Sequence, residues 1–444
     1  MLVALIYPLG EDEPSLEEWA FLPLGLVYLA TYLKKHLPAV DVMIHDERVN
    51  GSSDLLIERE KPDIVGLTVT GWNQKRSYKI AQLAKTCGAR VILGGVQATA
   101  LAPQILRHRP FVDAICRGEG ERGLLGFVSN EALHAITNLV FREGPKVVTN
   151  PVLPVPWSEN PTPNRSLIKQ FAYLNKYKSL GGDGRPTNIV THRGCHYRDQ
   201  TKAQGCVFCA SPGLEFNSRF RPVEAVSEEV KSVIDGYGIT WIRDYGEAMT
   251  PRFLSMLVAE ISESIADMLP KVCFEFYMRV TDFTPETARC LRAINGSVIF
   301  GIESGSPATL RSARKGYGFG QLENAVNLAD REGISCQYNL VLGLPGETPQ
   351  TLEETLTWCR SLPSCFRLKQ ASILVPVPGS MAFEWVRQTP EFLSYYGPEA
   401  DIFNWEVLQD IWVRNFTKVS LPELWQASSQ FQFLGRTLRT SPGI

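Results

Sequence analysis

The chain has 444 residues and a formal net charge of −2, with 45 Lys and Arg residues against 47 Asp and Glu residues. This length exceeds what one hydrophobic core organises, so we expect two or three domains. The near-neutral charge argues against a nucleic-acid partner, which needs a basic surface. No apolar run reaches the roughly 18 residues of a membrane span, and no secretory signal precedes the ten cysteines. We therefore expect a cytoplasmic protein with reduced thiols and no membrane partner.

Roughly the first 120 residues alternate between strand-like and helix-like segments. The predicted strands are 3–7, 40–44, 63–69, 90–93 and 114–116. The predicted helices are 24–36, 53–60, 74–86 and 100–107. Apolar strands separated by amphipathic helices are typical of a parallel sheet covered on both faces, with its ligand beyond the carboxyl ends of the strands. We predict an α/β, doubly wound (Rossmann-like) domain over residues 1–144.

Glycines follow two of these strands. Gly94 and Gly95 come after the fourth strand, and Gly118 opens a Gly-Glu-Gly-Glu turn, 118–121, after the fifth. Glycine allows positive φ and lets the backbone approach a large flat ligand closely. Each turn alone is a weak signal, and a purely structural turn is the alternative.

A proline-rich stretch separates the first domain from a second series of strands and helices. The prolines from residue 145 to residue 163 predict an extended linker over 145–184. The predicted strands beyond it are 187–191, 240–244, 272–277, 297–301, 336–341 and 367–373. The predicted helices are 222–236, 251–264, 285–294, 321–332 and 348–359. Six such repeats predict a partial, open barrel over 185–378 with its chemistry at the carboxyl ends of the strands. The aromatic-rich remainder, 379–444, predicts a helical cap.

Three cysteines, which follow the first barrel strand, carry the clearest chemical signal. Cys195, Cys206 and Cys209 are surrounded by glycine and by polar residues, as expected for a loop around a metal. A structural zinc site uses four closed ligands, whereas a [4Fe–4S] cluster held by three thiolates leaves one iron open for another ligand. Zinc completed by His192 or His196 is the alternative. The other seven cysteines lie in apolar segments and are interpreted as small core residues.

Further motifs follow later barrel strands in a fixed order. They are Asp-Tyr-Gly-Glu at 244–247, Ile-Phe-Gly-Ile-Glu-Ser-Gly-Ser at 299–306 and Leu-Gly-Leu-Pro-Gly-Glu-Thr at 342–348. With the cysteine loop, this series resembles the radical S-adenosylmethionine (SAM) enzymes. In the first domain, Pro-Leu-Gly-Leu at 23–26 and the glycine turns at 94–99 and 118–121 are similar to the branch with an N-terminal cobalamin-binding domain. The resemblance covers roughly residues 1–375.

The resemblance implies three cofactors and a set of residues for each. It implies a [4Fe–4S] cluster on Cys195, Cys206 and Cys209; SAM on Gly246, Glu247, Arg279, Glu303, Ser304, Gly343 and Gly346; and cobalamin on Thr70, Gly94, Gly95, Gly118 and Glu119. The loop at 8–12 has no histidine, which implies cobalamin without a protein histidine ligand. A doubly wound domain that has lost its ligand is the alternative.

The cysteine spacing departs from the family pattern. The family normally has Cys-x3-Cys-x2-Cys, whereas ten residues separate Cys195 from Cys206 here. We expect the extra polar segment to bulge outward, because lengthening a flexible loop adds little closure entropy. The departure leaves the role of Cys195 open.

The resemblance also implies a function. It implies a methyltransferase that acts on an unactivated carbon of a small molecule or peptide, through a 5′-deoxyadenosyl radical and methylcobalamin. Radical cyclisation or ring rearrangement on the same scaffold is one alternative, and a non-catalytic corrinoid- or SAM-binding relic is another. A flavodoxin- or ferredoxin-type protein would supply electrons. The sequence assigns no catalytic residue.

Overall fold

The computed structural model describes residues 1–10, 19–201, 205–210 and 217–437. Part of the loop after the first strand, part of the cysteine loop and the end of the predicted cap therefore lie outside the described residues. None of the described helices is long and apolar enough to cross a membrane.

The N-terminal domain is built on one seven-stranded sheet. Its strands are β1 (Leu2–Tyr7), β2 (Asp41–Asp46), β3 (Ile64–Thr68), β4 (Arg90–Gly94), β5 (Ala114–Cys116), β6 (Leu139–Glu143) and β7 (Lys146–Thr149). Their order is β2-β1-β3-β4-β5-β6-β7, with β1 to β5 parallel and β6 and β7 antiparallel. The helices of this part are Leu24–His36, Glu47–Asn50, Ser53–Glu60, Gln74–Thr86, Val96–His108 and Glu121–Val128.

Apolar spacing explains how the helices cover this sheet. In helix Leu24–His36, the buried residues Leu26, Ala30 and Leu33 recur at helical spacing and pack in one cluster with Leu5 of β1. Helices Gln74–Thr86 and Val96–His108 contribute to the other core cluster. The parallel strands β1 to β5 are therefore covered on both faces, as predicted.

The second sheet is an open six-stranded barrel. Its strands are β8 (Pro186–Ile189), β11 (Trp241–Asp244), β12 (Cys273–Met278), β13 (Gly296–Glu303), β14 (Cys336–Leu342) and β15 (Phe366–Ile373). All six are parallel in the order β15-β14-β13-β12-β11-β8, so the edges β15 and β8 do not pair with each other. A short pair, β9 (His192–Arg193) and β10 (Arg219–Phe220), lies beside it. The helices of this part are His196–Gln200, Val223–Tyr237, Pro251–Ser264, Pro285–Ala293, Pro307–Ser312, Phe319–Glu332 and Pro349–Ser361.

Helices follow the barrel and cover its open edge. They are Met381–Val386, Pro390–Tyr396, Trp405–Phe416 and Leu421–Thr437. The Ser428 hydroxyl donates to the carbonyl of Ala371 (2.9 Å), and the Gln409 side chain donates to the carbonyl of Ile373 (3.2 Å). These bonds satisfy carbonyls on an edge strand that has no further strand partner. The fold class predicted from the sequence is confirmed in these elements.

Two stretches differ from their predicted local structure. The predicted linker contains β7 and helix Gln170–Ser179, and its Arg165 is buried, with an Nη2–Glu229 Oε1 distance of 2.7 Å. The β6–β7 hairpin was not predicted, although apolar runs on either side of Gly144 are a hairpin signal. The segment therefore packs as part of the folded structure.

Candidate active site

A cavity of about 340 Å³ lies between the N-terminal sheet and the start of the barrel. Its N-terminal wall includes Gly66, Thr68, Gly94, Gly95, Gly118, Glu119 and Glu121. Its barrel wall consists of Val190, His192, Arg193, Tyr245 and Glu247. The cavity thus joins the carboxyl ends of β3, β4 and β5 to the loops that follow β8 and β11, which is where parallel sheets bind ligands.

The N-terminal wall is shaped by missing side chains. A Cβ atom on Gly66, within β3, would lie 2.9 Å from Cδ2 of Leu5. Gly95 has a φ of +94°, and a Cβ there would lie 2.6 Å from the carbonyl oxygen of Val69. Glycine at 66 therefore keeps the groove open, whereas glycine at 95 is required by the backbone of the turn. Such a cradle fits a large flat ligand.

The predicted cobalamin contacts are only partly at this cavity. Gly94, Gly95, Gly118 and Glu119 line it. Thr70 does not, because it lies in the next loop, where its amide donates to Oδ1 of Asn73 (2.8 Å). Thr68, two residues earlier, lines the cavity instead.

Glu119 and Glu121 tie the two domains together. Arg193 Nη2 lies 2.5 Å from Glu121 Oε1, and Arg219 pairs with Glu119. Burial opposes ionisation of Glu121, yet Arg193 lowers the pKa of its carboxyl below the usual value. Because Arg193 precedes Gly194 and Cys195, these ion pairs fix the base of the cysteine loop to the N-terminal domain.

The three cysteines of the loop are half-buried. The Cys209 amide donates to the carbonyl of Cys206 (3.2 Å). Burial raises the pKa of the Cys195 thiol, and the neighbouring Cys206 contributes in the same direction. Among the described residues, however, no group of three His, Cys, Asp or Glu side chains has a metal-site arrangement. The fold gathers the thiols on one loop without placing the three sulfurs in ligand positions.

The extra segment of this loop begins with a short helix that contains no buried residue but contacts neighbouring loops of the barrel. This helix is His196–Gln200, and the Tyr197 ring lies 3.8 Å from the Arg279 guanidinium carbon. The Tyr197 hydroxyl donates to the carbonyl of Arg314 (2.8 Å), and a side chain on Gly316 would overlap the ring. Stacking and a hydrogen bond thus anchor the segment to the loop after β13.

The two histidines considered for zinc are both engaged. Nε2 of His192 accepts the Ala248 amide (3.1 Å), and its ring stacks on Phe220. Nε2 of His196 lies 2.9 Å from Oδ2 of Asp282, although its buried Nδ1 has no partner in the described part of the chain. The contacts of His192 disfavour it as a zinc ligand, whereas Nδ1 of His196 has no partner among the described residues.

The turn after β11 braces the cysteine loop. A carboxylate oxygen of Glu247 accepts the Gly194 amide (2.9 Å), and the Gly246 amide donates to Oδ1 of Asp244 (3.0 Å). A side chain on Gly246 would overlap the ring of His192. Glycine is therefore required at 246 for packing, independently of any ligand.

Glu303 forms a buried ion pair that the sequence analysis missed. Lys315 Nζ lies 2.9 Å from Glu303 Oε1, and both side chains are less than 10% exposed. Glu303 has a φ of +71°, an unfavourable value for a residue with a side chain, and such strain concentrates at functional sites. Burial alone would lower the pKa of Lys315, but Glu303 and Cys206 raise it, so the amine stays charged.

Arg279 and Ser304 have protein partners in the structure. Nη2 of Arg279 donates to the carbonyl of Lys315 (2.6 Å). The Ser304 hydroxyl lies 2.9 Å from the Thr355 hydroxyl and accepts the Ser306 amide. Both side chains support the loop after β13, and their predicted contacts with SAM stay predictions.

The turn after β14 is fixed to the C-terminal helices. Gly343 and Gly346 have φ values of +77° and +76°, which glycine adopts without strain. The Gly343 carbonyl accepts Nε1–H of Trp412 (2.8 Å), and the Gly346 amide donates to the carbonyl of Phe416 (2.7 Å). Glu347, which the sequence analysis missed as a site residue, accepts the Gly343 amide. Both glycines therefore hold structural bonds in addition to any role toward SAM.

Because Glu347 is buried, we predict that the unfolding free energy of the protein changes with pH. Burial raises the pKa of its carboxyl to about 7, against the lowering effect of the Gly343 and Leu344 amides. The unfolded chain loses this proton near pH 4.5, so the folded state is progressively penalised as pH rises from about 4.5 to 7. We expect Glu347→Gln to match the wild type near pH 4.5 and to exceed its unfolding free energy by about 3 kcal/mol above pH 7. Urea denaturation across this range tests the prediction, and a constant difference would contradict it.

The Glu303–Lys315 pair predicts a loss of stability when its cation is removed. Lys315→Met leaves a buried carboxylate without its cation, so we expect the unfolding free energy to fall by about 3 kcal/mol. Adding Glu303→Gln should restore most of the loss. Lys231→Met, which breaks an exposed i,i+4 pair with Asp235, is the control and should change stability by less than about 0.5 kcal/mol. Urea denaturation of the wild type and these three variants measures these values, and a double variant no more stable than Lys315→Met would contradict the prediction.

Two family models match the chain in the same order as the two sheets. The B12 binding domain matches residues 20–128, and the Radical SAM superfamily matches residues 189–359. The uncharacterized methyltransferase PH0819 of Pyrococcus horikoshii is 30% identical over 377 residues, which cover 82% of this chain and 78% of that protein.

More distant relatives carry two kinds of name. The anaerobic magnesium-protoporphyrin IX monomethyl ester cyclase of Rubrivivax gelatinosus is 25% identical over 356 residues, 76% of this chain and 62% of that protein. The bacteriochlorophyllide d C-12(1)-methyltransferase of Chlorobaculum tepidum is 23% identical over 389 residues, 86% of this chain and 77% of that protein.

Solved structures share the fold. The radical S-adenosylmethionine methyltransferase TsrM from Kitasatospora setae, with cobalamin and a [4Fe-4S] cluster bound, superposes with a TM-score of 0.67 at 19% identity, over 88% of this chain and 76% of that chain. The cobalamin-dependent S-adenosylmethionine radical enzyme OxsB gives a TM-score of 0.66 at 21% identity, over 83% of this chain and 52% of that chain. Both likenesses confirm the predicted fold class.

Proposed function

Because this chain belongs to the radical SAM superfamily, in the branch with an N-terminal B12-binding domain, we propose that it is a cobalamin-dependent C-methyltransferase. The observation that carries this proposal is the cavity that lies between the carboxyl ends of β3 to β5 and the loops after β8 and β11. The glycine-shaped ends of β4 and β5 face Glu247, whose carboxylate holds the Gly194 amide next to Cys195. A corrinoid in this cavity would therefore lie beside the cysteine loop.

The cofactors of this family would be held by residues of the cavity and of the adjacent cysteine loop. Cys195, Cys206 and Cys209 would hold a [4Fe–4S] cluster, and three thiolates leave one iron for SAM. Gly94, Gly95, Gly118 and the groove above Gly66 would receive cobalamin without a steric barrier. When bound, the cluster with SAM supplies a 5′-deoxyadenosyl radical, and cobalamin supplies a transferable methyl group.

The protein's own side chains would position and shield these groups. Arg193 and Arg219 would hold the domain junction together through their ion pairs with Glu121 and Glu119. The second carboxylate oxygen of Glu303 is available to accept a hydroxyl hydrogen bond while Lys315 keeps the first oxygen paired. Gly246, Glu247, Arg279, Ser304, Gly343 and Gly346 complete the proposed SAM site, mainly through the shape of their turns.

We propose a small molecule or peptide as the methyl acceptor and a flavodoxin- or ferredoxin-type protein as the electron donor. The names of two relatives refer to the tetrapyrroles magnesium-protoporphyrin IX and bacteriochlorophyllide d. A tetrapyrrole is therefore the first acceptor class to test.

Radical cyclisation is the second candidate function. It is favoured by relatives at 25% and 24% identity that are named anaerobic magnesium-protoporphyrin IX monomethyl ester cyclase. In that case cobalamin would serve in electron transfer and would not carry methyl.

Methyl-deuterated SAM separates the two candidates without knowledge of the acceptor. The full chain is loaded anaerobically with iron, sulfide and hydroxocobalamin, reduced chemically, and incubated with the labelled SAM. A methyltransferase is expected to place the deuterated methyl on the corrinoid and to release S-adenosylhomocysteine, both measured by mass spectrometry. Formation of 5′-deoxyadenosine with no label on the corrinoid would overturn the methyltransferase proposal and favour cyclisation.

A further inference from the structure

A second cavity, of about 500 Å³, lies where the N-terminal domain, the barrel and the C-terminal helices meet. Its volume is within the range of small-molecule sites. Its floor is the free edge of β15, from Gln370 to Ile373, and its walls come from helices Trp405–Phe416 and Leu421–Thr437. Trp72 and Lys75 close it from the N-terminal domain. The cavity is therefore assembled from all three parts of the fold.

The lining combines flat aromatic surface with hydrogen-bonding groups. Trp72, Trp405 and Trp425 contribute indole rings, and Trp72 and Trp425 are 52% and 54% exposed although tryptophan is usually well covered. The side-chain amides of Gln370 and Gln432 have no hydrogen-bond partner within the described residues. Such a surface, apolar across its faces and polar at its rim, suits an amphipathic ring better than water.

The charges of the lining are balanced. Lys75 and Glu406 are the two charged side chains among its described lining residues. One charge of each sign leaves the wall close to neutral overall, so charge alone does not recruit a ligand here. The lining therefore selects for ring surface rather than for charge.

The second cavity is separate from the first but adjacent to it. The two cavities share no described lining residue, yet Thr68 at the end of β3 lines the first and Trp72 lines the second. The Trp405 indole N–H donates to the carbonyl of Gly71 (2.6 Å), and a side chain on Gly71 would overlap that indole. One short loop, packed directly against the aromatic wall, thus separates the two sites.

We propose that this second cavity binds a planar, largely apolar ring system that carries hydrogen-bonding substituents. The indoles stack on its faces, and the amides of Gln370 and Gln432 bind its edge. Its position, one loop from the proposed cobalamin cavity, makes it the anchoring site for the methyl acceptor. That last identification depends on the proposed function, whereas the binding of a planar ring does not.

Equilibrium dialysis with protoporphyrin IX tests the site. The probe is chosen because its macrocycle is flat and extended, and the full chain is loaded with cluster and saturated with hydroxocobalamin so that the first cavity is filled. We expect saturable binding of one probe per chain. Trp425→Ala and Trp72→Ala should each weaken binding about tenfold, because each removes one stacking face.

Phe433→Ala is the matched control. Phe433 is 70% exposed and lies on the same helix as Trp425, but it does not line the cavity. It should change the dissociation constant by less than about twofold. Equal binding by Trp425→Ala, Trp72→Ala and Phe433→Ala, absence of binding, or competition with added hydroxocobalamin would each overturn the proposal. Because dialysis needs no turnover, failure here is distinguishable from failure of methyl transfer to the corrinoid.

Discussion

Replacing Cys206 with alanine is expected to remove most of the bound iron and to lower 5′-deoxyadenosine formation by more than about 100-fold. A [4Fe–4S] cluster on three thiolates has no spare protein ligand. Mutation of residues that only hydrogen-bond to the metal ligands already lowers metal affinity by about 10- to 100-fold. Removal of a ligand itself should therefore lower the affinity for the cluster by more than this. Iron and sulfide content of the anaerobically reconstituted protein, with chromatography of the SAM products, measures both effects.

Cys290→Ala provides a matched control for the same measurements. Cys290 is half-buried on helix Pro285–Ala293, away from the cysteine loop, and should keep wild-type iron content. Normal iron and normal SAM cleavage in Cys206→Ala would refute the cluster assignment. The same assay on Cys195→Ala tests whether Cys195 is the third cluster ligand, a question that the ten-residue gap leaves open. We expect the same loss, because Cys195 lies on the same loop as Cys206 and Cys209.

Helix positions were predictable from apolar periodicity, and in one case also from capping. The predicted helices 74–86 and 251–264 have the same bounds in the structure as Gln74–Thr86 and Pro251–Ser264. In the second helix, the Thr250 hydroxyl accepts the Phe253 amide and Pro251 occupies the first turn. These are local signals that a sequence carries by itself.

Contacts between distant residues could not be predicted from one sequence. Tyr197 meets Arg314 across 117 positions, and Arg219 meets Glu119 across 100. Neither pair has a spacing rule, because each contact joins segments that come together only when the chain has folded. The same reason explains why Glu119 was predicted as a cofactor contact alone, whereas its carboxylate also holds the two domains together.

The shape of the first cavity was foreseeable only in part. Glycines after β4 and β5 were identified because they lie in βα turns, where ligands bind. Gly66 was not, because a glycine inside a strand gives no such positional cue. The structure assigns it a specific effect, since its missing side chain opens the groove beside Leu5. Substitution of Gly66 is therefore the most direct test of where the corrinoid binds.

Gly66→Leu is expected to weaken cobalamin binding at least tenfold while leaving the iron–sulfur cluster in place. The new side chain would project into the cavity, and a single overpacked side chain costs on the order of 1–3 kcal/mol. A Cβ at residue 66 would lie 2.9 Å from Cδ2 of Leu5. The Leu5 side chain is flexible and can shift without breaking the sheet. Cobalamin content, iron content and thermal midpoint are measured on the same preparation.

The proposed geometry predicts different outcomes for two reactions of the Gly66→Leu variant. SAM cleavage to 5′-deoxyadenosine should persist, because the cysteine loop is untouched, whereas transfer of deuterated methyl to the corrinoid should be lost. Gly236→Ala is the control, since a Cβ on this residue of helix Val223–Tyr237 has no neighbour within 4 Å. If Gly66→Leu instead binds cobalamin like Gly236→Ala at equal stability, the corrinoid lies elsewhere, and the glycine groove is a feature of packing alone.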